Sequence, residues 1–229
     1  MKRSKGEKVF SVFNLIFMIV LLIITLYPFL NVFVVSFSDN QFVTRGLVTI
    51  YPMGFNLIAY KLLLGMKIVW TGYINTFFLV MVGTSINLLL TSMTAYSLSK
   101  KDLPGRNKIL LFMIFTMMFS GGMIPSFLLI RDLHLMNSLW SMILPGAISA
   151  YNMILMKNFF QAIPESLLES ARIDGLGEIG ILFKIVLPLS TAALATIGLF
   201  YAVGHWNAFF NAVMYINDRN KWPLQLLLR

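Results

Sequence analysis

Not one charged residue interrupts the sequence over residues 9–38. A helix needs about 20 apolar residues to cross the hydrocarbon core of a bilayer, and the apolar core of a signal peptide is only roughly 7 to 15 residues long. The run therefore reads as an uncleaved first span, with Tyr27-Pro28-Phe29 marking a kink or the helix end near the far interface. Four further apolar runs follow, over residues 73–99, 109–130, 139–160 and about 185–216. Only 12% of the residues are charged and 58% are hydrophobic, whereas a soluble domain carries roughly a quarter charged residues. Lipid must be the solvent for much of the chain. The fold class that follows is an all-α, polytopic transmembrane helical bundle with five spans visible, and residues 1–229 read as a single transmembrane domain.

The 18 Lys and Arg, which give a net charge of +9, are scattered between the apolar runs rather than gathered on one basic face. That distribution argues against nucleic acid as a partner and for membrane orientation. With the N-terminus in the cytoplasm, the inner segments hold 11 of the 18: Lys2, Arg3, Lys5 and Lys8, then Lys100, Lys101, Arg106 and Lys108, then Lys157, Arg172 and Lys184. Residues 39–72 then form an external loop with short helical pieces, and residues 131–138 an external turn. Cysteine is absent, which excludes disulfides, thiolate metal sites and a Cys nucleophile, and with only two histidines, His134 and His205, a His-based metal centre is poorly supplied. No G-x-x-x-x-G-K-[ST], HExxH or G-x-S-x-G occurs, which excludes ATP hydrolysis by the P-loop route and leaves an intramembrane hydrolase without machinery.

Within the apolar runs, Gly83, Asn87, Thr91, Ala95 and Ser99 recur at every fourth position, placing small and polar groups on one helical face that should pack against protein. Gly121-Gly122 and Pro125 break the third run, and the fourth contains Pro145-Gly146 and Asn152. The long polar stretch at residues 161–188 reads QAIPESLLESARIDGLGEIGILFKIVLP. Pro164 suits a first helical turn, and Gly175 and Gly177 suit a stop. Leu167, Leu168, Ala171 and Gly175 fall within about 100° on a wheel, with Glu165, Glu169 and Arg172 on a neighbouring stripe.

Glu169-Ser170-Ala171, three residues to Gly175 and nine more to Ile185-Val186-Leu187-Pro188 resemble the EAA loop, E-A-A-x3-G-x9-I-x-L-P, of ABC importer permeases. Only Ser170 departs, one small residue for another. Asn75-Thr76, Ala95-Tyr96-Ser97-Leu98-Ser99, Phe119-Ser120-Gly121-Gly122 with Ile124-Pro125, Ile173-Asp174-Gly175 and Gly204-His205-Trp206-Asn207 extend the likeness to the carbohydrate-uptake group related to the maltose permease.

The resemblance implies a multi-pass permease subunit in a bacterial-type inner (plasma) membrane, moving an oligosaccharide or related glycoside inward. Its partners would be a second homologous permease subunit, a cytoplasmic ABC ATPase dimer that binds ATP and Mg, an extracellular solute-binding protein and membrane lipid. This chain would carry no cofactor and do no covalent chemistry. Residues 161–178 become the cytoplasmic coupling loop, with Glu169, Ser170, Ala171, Arg172, Asp174, Gly175, Leu187 and Pro188 as its motif residues. Glu169 would face a basic residue of the ATPase, and Ala171 and Gly175 would permit close approach. Arg172 and Asp174 are equally well explained by stabilising the helix itself.

Gly204, Asn207, Asn211 and Tyr215 form a polar stripe in the fifth run, suited either to interhelical hydrogen bonds or to lining a sugar path, with His205 and Trp206 as packing residues. The family has a sixth span, which is expected to be missing from this chain, so the domain reads as C-terminally incomplete relative to the family. Residues 217–229 would face the binding protein. A permease for a peptide or polyamine is the alternative cargo reading, and a non-transporting membrane scaffold the alternative class.

Overall fold

The computed structural model describes residues 5–119 and 121–229, so readings that rest on Lys2, Arg3 or Ser120 lie outside the described residues. Every regular element among the described residues is helical. The chain forms two compact units, Met1–Met66 and Lys67–Arg229.

In the first unit, α1 (Lys5–Ser36) continues through Pro28 without ending there. As far as Leu30 its apolar side chains are exposed around the whole cylinder, the pattern of a helix whose surroundings are themselves apolar. The chain that follows folds back onto the C-terminal part of α1. Asn31 donates from Nδ2 to the Thr49 carbonyl at 3.0 Å, Ser36 and Tyr60 share a hydroxyl hydrogen bond of 2.7 Å, and the Phe37 ring stacks on Phe55 and Tyr60. Two short helices lie in this stretch, as expected of residues 39–72. α2 (Asn40–Thr44) is capped by the Asp39 carboxylate accepting from the Gln41 N–H, and α3 is Ile58–Gly65.

The second unit opens with α4 (Lys67–Phe78), which passes through a π-turn at Leu79–Gly83 into α5 (Thr84–Ser99). Together they make one helix of span length, Lys67–Ser99. It begins before residue 73 because Gly72, read as the end of the loop, is buried inside α4. A Cβ there would come within 2.5 Å of the Leu227 side chain. α6 (Arg106–Met118) and α7 (Met123–Asp132) meet at 113°, the interruption expected from the glycines, with Gly122 at φ +87°.

The run at residues 139–160 is not one helix. It divides into α8 (Trp140–Ile143), a 3-10 turn at Leu144–Gly146 and α9 (Ala150–Gln161). The fifth run is broken too. α10 (Glu165–Ile173) and α11 (Glu178–Ile181) precede a second π-turn, Leu182–Val186, and α12 (Leu187–Leu189). After an 87° bend come α13 (Thr191–Trp206), α14 (Phe210–Tyr215) and α15 (Leu224–Leu227). Among the described residues two helices are long and apolar enough to cross a membrane, or up to four if each bent pair is one span.

The stripe on α5 explains how the break in the fourth run survives in an apolar setting. A helix interrupted at Pro145-Gly146 frees backbone groups that lipid cannot satisfy. Asn87, fully buried, donates from Nδ2 to the Gly146 and Ala147 carbonyls at 2.8 and 2.9 Å. Its Oδ1 is thereby left as the acceptor for His205 Nε2, at 2.7 Å. One turn along, Thr91 and Tyr201 share a 2.8 Å hydroxyl bond, and the Tyr201 oxygen accepts the Ser149 N–H at 3.1 Å. Gly83 completes the seam, since a Cβ on it would stand 2.5 Å from His205 Nε2. Gly83, Asn87, Thr91 and Ala95 are all buried, as a packing face requires, and Ser99 is partly so. Around this polar seam, Met153, Met156, Ile181, Val186 and Ile197 build the larger apolar core between α5, α9, α11 and α13. In lipid such helices associate chiefly through close packing and a few interhelical hydrogen bonds.

At one end of this unit the chain is tied back to α4. Asn75 Nδ2 donates to the Asn220 and Trp222 carbonyls, and Thr76 Oγ1 accepts the Leu224 N–H at 2.8 Å. Asn137 joins the same end, donating its N–H to the Tyr215 carbonyl at 2.7 Å and accepting the Asp218 N–H on Oδ1 at 2.9 Å. The 131–138 turn and the segment after residue 216, both read as external, thus share one end. The loops read as cytoplasmic share another, where Gln161 Nε2 donates to the Ser99 carbonyl and Arg106 Nε to that of Leu98.

Candidate functional site

α10 and its turn are the polar feature that the apolar bundle presents at the end holding Ser99 and Arg106. Pro164, extended at φ −57° and ψ 130°, stands at the N-cap position, with Glu165 in the first turn, where a negative charge suits the helix dipole. At the other end Gly175 adopts φ +82°, a left-handed conformation that costs glycine little. Its N–H bonds to the Arg172 carbonyl and the Leu176 N–H to that of Ala171, both at 3.0 Å. This is a Schellman closure, 5→2 and 6→1, and Leu176 packs on the core that contains Ala171. The helix therefore starts and stops where Pro164 and Gly175 indicate.

Leu168 and Ala171 turn inward, Ala171 to 4% exposure within the core of α5, α9 and α11. The close approach that its small side chain permits is accordingly to helices of its own chain. A Cβ at Gly175 would meet nothing within 4 Å, so glycine is demanded there by its dihedral angle and not by a neighbour. Glu165, Glu169, Ser170, Arg172 and Asp174 are exposed, and Ile173, at 86%, is a large apolar side chain with almost no cover. Leu187 and Pro188 lie off this helix, in α12 behind the second π-turn.

Glu178, which the spacing argument does not single out, is the electrostatic centre of this end. Its Oε2 accepts the Tyr96 hydroxyl at 2.6 Å and pairs with the Lys100 ammonium, which also lies 4.7 Å over the Tyr96 ring. Its Oε1 faces Arg172 Nε at 3.4 Å. The partner of Arg172 is thus Glu178. A cleft of about 540 Å³ lies beside α10, lined by Lys100, Lys101, Gln161, Glu165, Leu168 and Arg172 among others.

The second expected site is not one face. The helix carrying Gly204 ends at Asn207, whose N–H and Nδ2 both return to the Val203 carbonyl at 3.0 Å. Asn211 and Tyr215 belong to the separate helix α14. Gly204, Asn207 and Asn211 are exposed, while Tyr215 is buried at 4% with its ring stacked on Phe127. Helical spacing fails here because residues 207–209 interrupt the helix. His205, expected to be a packing residue, contributes the specific hydrogen bond to Asn87 described above.

Residues 62–219 match the family described as "Binding-protein-dependent transport system inner membrane component". The chain is 46% identical over 213 residues to the polygalacturonan/rhamnogalacturonan transport system permease protein YtcP of Bacillus subtilis (strain 168), covering 93% of this chain and 74% of that protein. It is 44% identical to protein LplC of the same organism over 229 residues, 100% of this chain and 78% of the relative. Among solved structures it is similar, with a TM-score of 0.96 and 36% identity, to a bacterial ABC transporter involved in the import of the acidic polysaccharide alginate, covering 100% of this chain and 81% of that one.

Proposed function

This chain belongs to the family of binding-protein-dependent transport system inner membrane components, and we propose that it imports an oligosaccharide or related glycoside as one permease subunit of an ATP-binding-cassette importer. It is a transport component of a multi-pass membrane assembly, and ATP hydrolysis is the work of a separate ATPase chain. The family brings with it a second permease, an ATPase pair and a substrate-binding protein, which we assign as partners here, with the N-terminus and the α10 end facing the cytoplasm. The likeness to permeases for polygalacturonan/rhamnogalacturonan and alginate supports a sugar cargo over a peptide or polyamine.

The observation that carries the coupling role is α10 itself, a short helix closed at both ends and anchored by Leu168, Ala171 and Leu176, with Glu169, Ser170, Ile173 and Asp174 outward. A helix held rigidly on one side and free on the other can pass on a push from a docked ATPase. Glu169 and Ile173 form its contact surface, and Gly175 keeps that surface in place through its left-handed turn. Asn207 and Asn211, exposed around the break after α13, are the side chains of this chain best suited to contact sugar hydroxyls.

The test is uptake of labelled oligogalacturonide by proteoliposomes containing the full importer, with a tripeptide and spermidine as control cargo. Glu169→Ala is expected to weaken ATPase co-purification by about 2–5 kcal/mol if its pair is buried in the docked complex. Gly175→Leu should leave the protein in the membrane and abolish uptake through its disallowed turn. Normal uptake and normal ATPase recovery in both variants would overturn the coupling assignment, and transport of only the control cargo would overturn the sugar assignment.

A further inference from the structure

We propose that Glu178 is the positioning residue that makes α10 move as one body with α5 and the helices after it. The inference rests on the coupling role of α10 proposed above and assigns the part of this chain that receives the motion.

One carboxylate joins three segments that are separate in sequence. Tyr96 and Lys100 come from the last turn of α5 and its exit, Arg172 from the last turn of α10, and Glu178 opens α11. The covalent path from α10 to α11 runs only through Asp174, Gly175, Leu176 and Gly177. Two of those four are glycines, and Gly175 already occupies a conformation few residues adopt. Such a link sets the distance between the two helices and leaves their angle soft. Leu176 in the core restrains one side of the turn, and the Arg172–Glu178 contact closes the other. Through Tyr96 the same carboxylate reaches α5, the helix whose buried seam holds Asn87 and Thr91 against the break before α9 and against α13.

The Glu178 side chain is about half exposed, at 52%. Half-exposed ion pairs contribute little to stability, so the arrangement is poorly explained as a brace for folding. What it does supply is direction, because three donors at different bearings fix both carboxylate oxygens. With the carboxylate gone, only the inward contacts of Leu168, Ala171 and Leu176 restrain α10, which can tilt on its glycines while an ATPase remains docked on its outer face. The expected defect is ATP hydrolysis that no longer drives import.

The experiment uses the complete importer in proteoliposomes, with its ATPase and binding protein, and measures ATP hydrolysed per labelled oligogalacturonide imported. Glu178→Ala should keep normal ATPase co-purification and raise that ratio about 5-fold or more, the low end of typical couplings between sites. Glu178→Gln, which keeps the shape and an acceptor oxygen, should fall between. Lys100→Glu, which sets a second carboxylate beside Glu178, should uncouple as well. If Glu178→Ala does not assemble, Tyr96→Phe and Lys100→Met carry the same test. An unchanged ratio at normal ATPase recovery overturns the positioning role and leaves the coupling role of α10 standing. Loss of the ATPase from Glu178→Ala and Tyr96→Phe alike also overturns it, because Glu178 would then act in docking. Failure of the coupling role itself is read separately, from the Glu169 and Gly175 variants.

Discussion

Two stretches of this chain carry small and polar residues at helical intervals, and they end in opposite surroundings. On the continuous helix Lys67–Ser99, Gly83, Asn87, Thr91 and Ala95 are buried and meet His205, Tyr201 and the free backbone groups around Pro145-Gly146. Past Gly204, the amides of Asn207 and Asn211 are exposed on either side of a break, and Asn207 spends its Nδ2 on its own helix at the Val203 carbonyl. In the first stretch an amide repairs another helix's interruption. In the second, the amide sits at the interruption and caps it. A stripe of small and polar residues therefore reports a packing seam only where the helix beneath it is unbroken, and otherwise reports the end of the helix.

The largest effect expected from this contrast is at Asn87. Asn87→Leu leaves the Gly146 and Ala147 carbonyls and His205 Nε2 without their partner in an apolar interior. Three lost bonds should cost about 2–4 kcal/mol, given the modest value of each hydrogen bond inside a membrane and the penalty for orphaned groups. Unfolding measured in detergent micelles or bicelles would show it, and a neutral result would mean that water already reaches the break. Gly83→Ala comes next. Its Cβ must displace the His205 ring from 2.5 Å, an overpacking expected to cost about 1–3 kcal/mol and to abolish the Asn87–His205 bond. The imidazole nitrogen resonances of His205 in a labelled sample would register that loss directly. The smallest effect belongs to the second stretch. Asn211→Ala should change stability by no more than about 0.5 kcal/mol, so that any loss of oligogalacturonide uptake in this variant would support the proposed sugar contact at Asn211. A destabilisation as large as that of Asn87→Leu would erase the distinction between the two stretches.

The motif loop was the most legible part of the site. Pro164 and Gly175 act through their own backbone geometry, one lacking an N–H and the other tolerating φ +82°, so the limits of α10 follow from residues that directly flank it. Glu178 was not legible. Tyr96 and Lys100 stand 82 and 78 residues away, and nothing in the spacing around Gly177 marks a carboxylate that will meet them. The one available signal was an acidic residue directly after a glycine stop at the start of a new apolar helix. The burial of Ala171 was half legible, since its wheel position next to Leu168 marks an apolar face but not whether that face meets this chain or another.

By itself the sequence determined that this chain is membrane-embedded and helical, where α10 begins and ends, and which face of α5 is packed. Those properties depend on local quantities: the length of an uncharged run against the thickness of a bilayer, the dihedral range of proline and glycine, and a four-residue spacing on an unbroken helix. Only the tertiary structure decided that α4 begins at Lys67, that the run at residues 139–160 divides, and that the helix after Gly204 ends at Asn207. The first two depend on a distant group that the fold brings to them, and the third on an amide that turns back onto its own helix. Leu227 fills the space left by Gly72, and Asn87 and Tyr201 satisfy the backbone freed beside Pro145. A helix in an apolar medium can stop only where something else accepts its unpaired hydrogen bonds, and that partner is chosen by the fold.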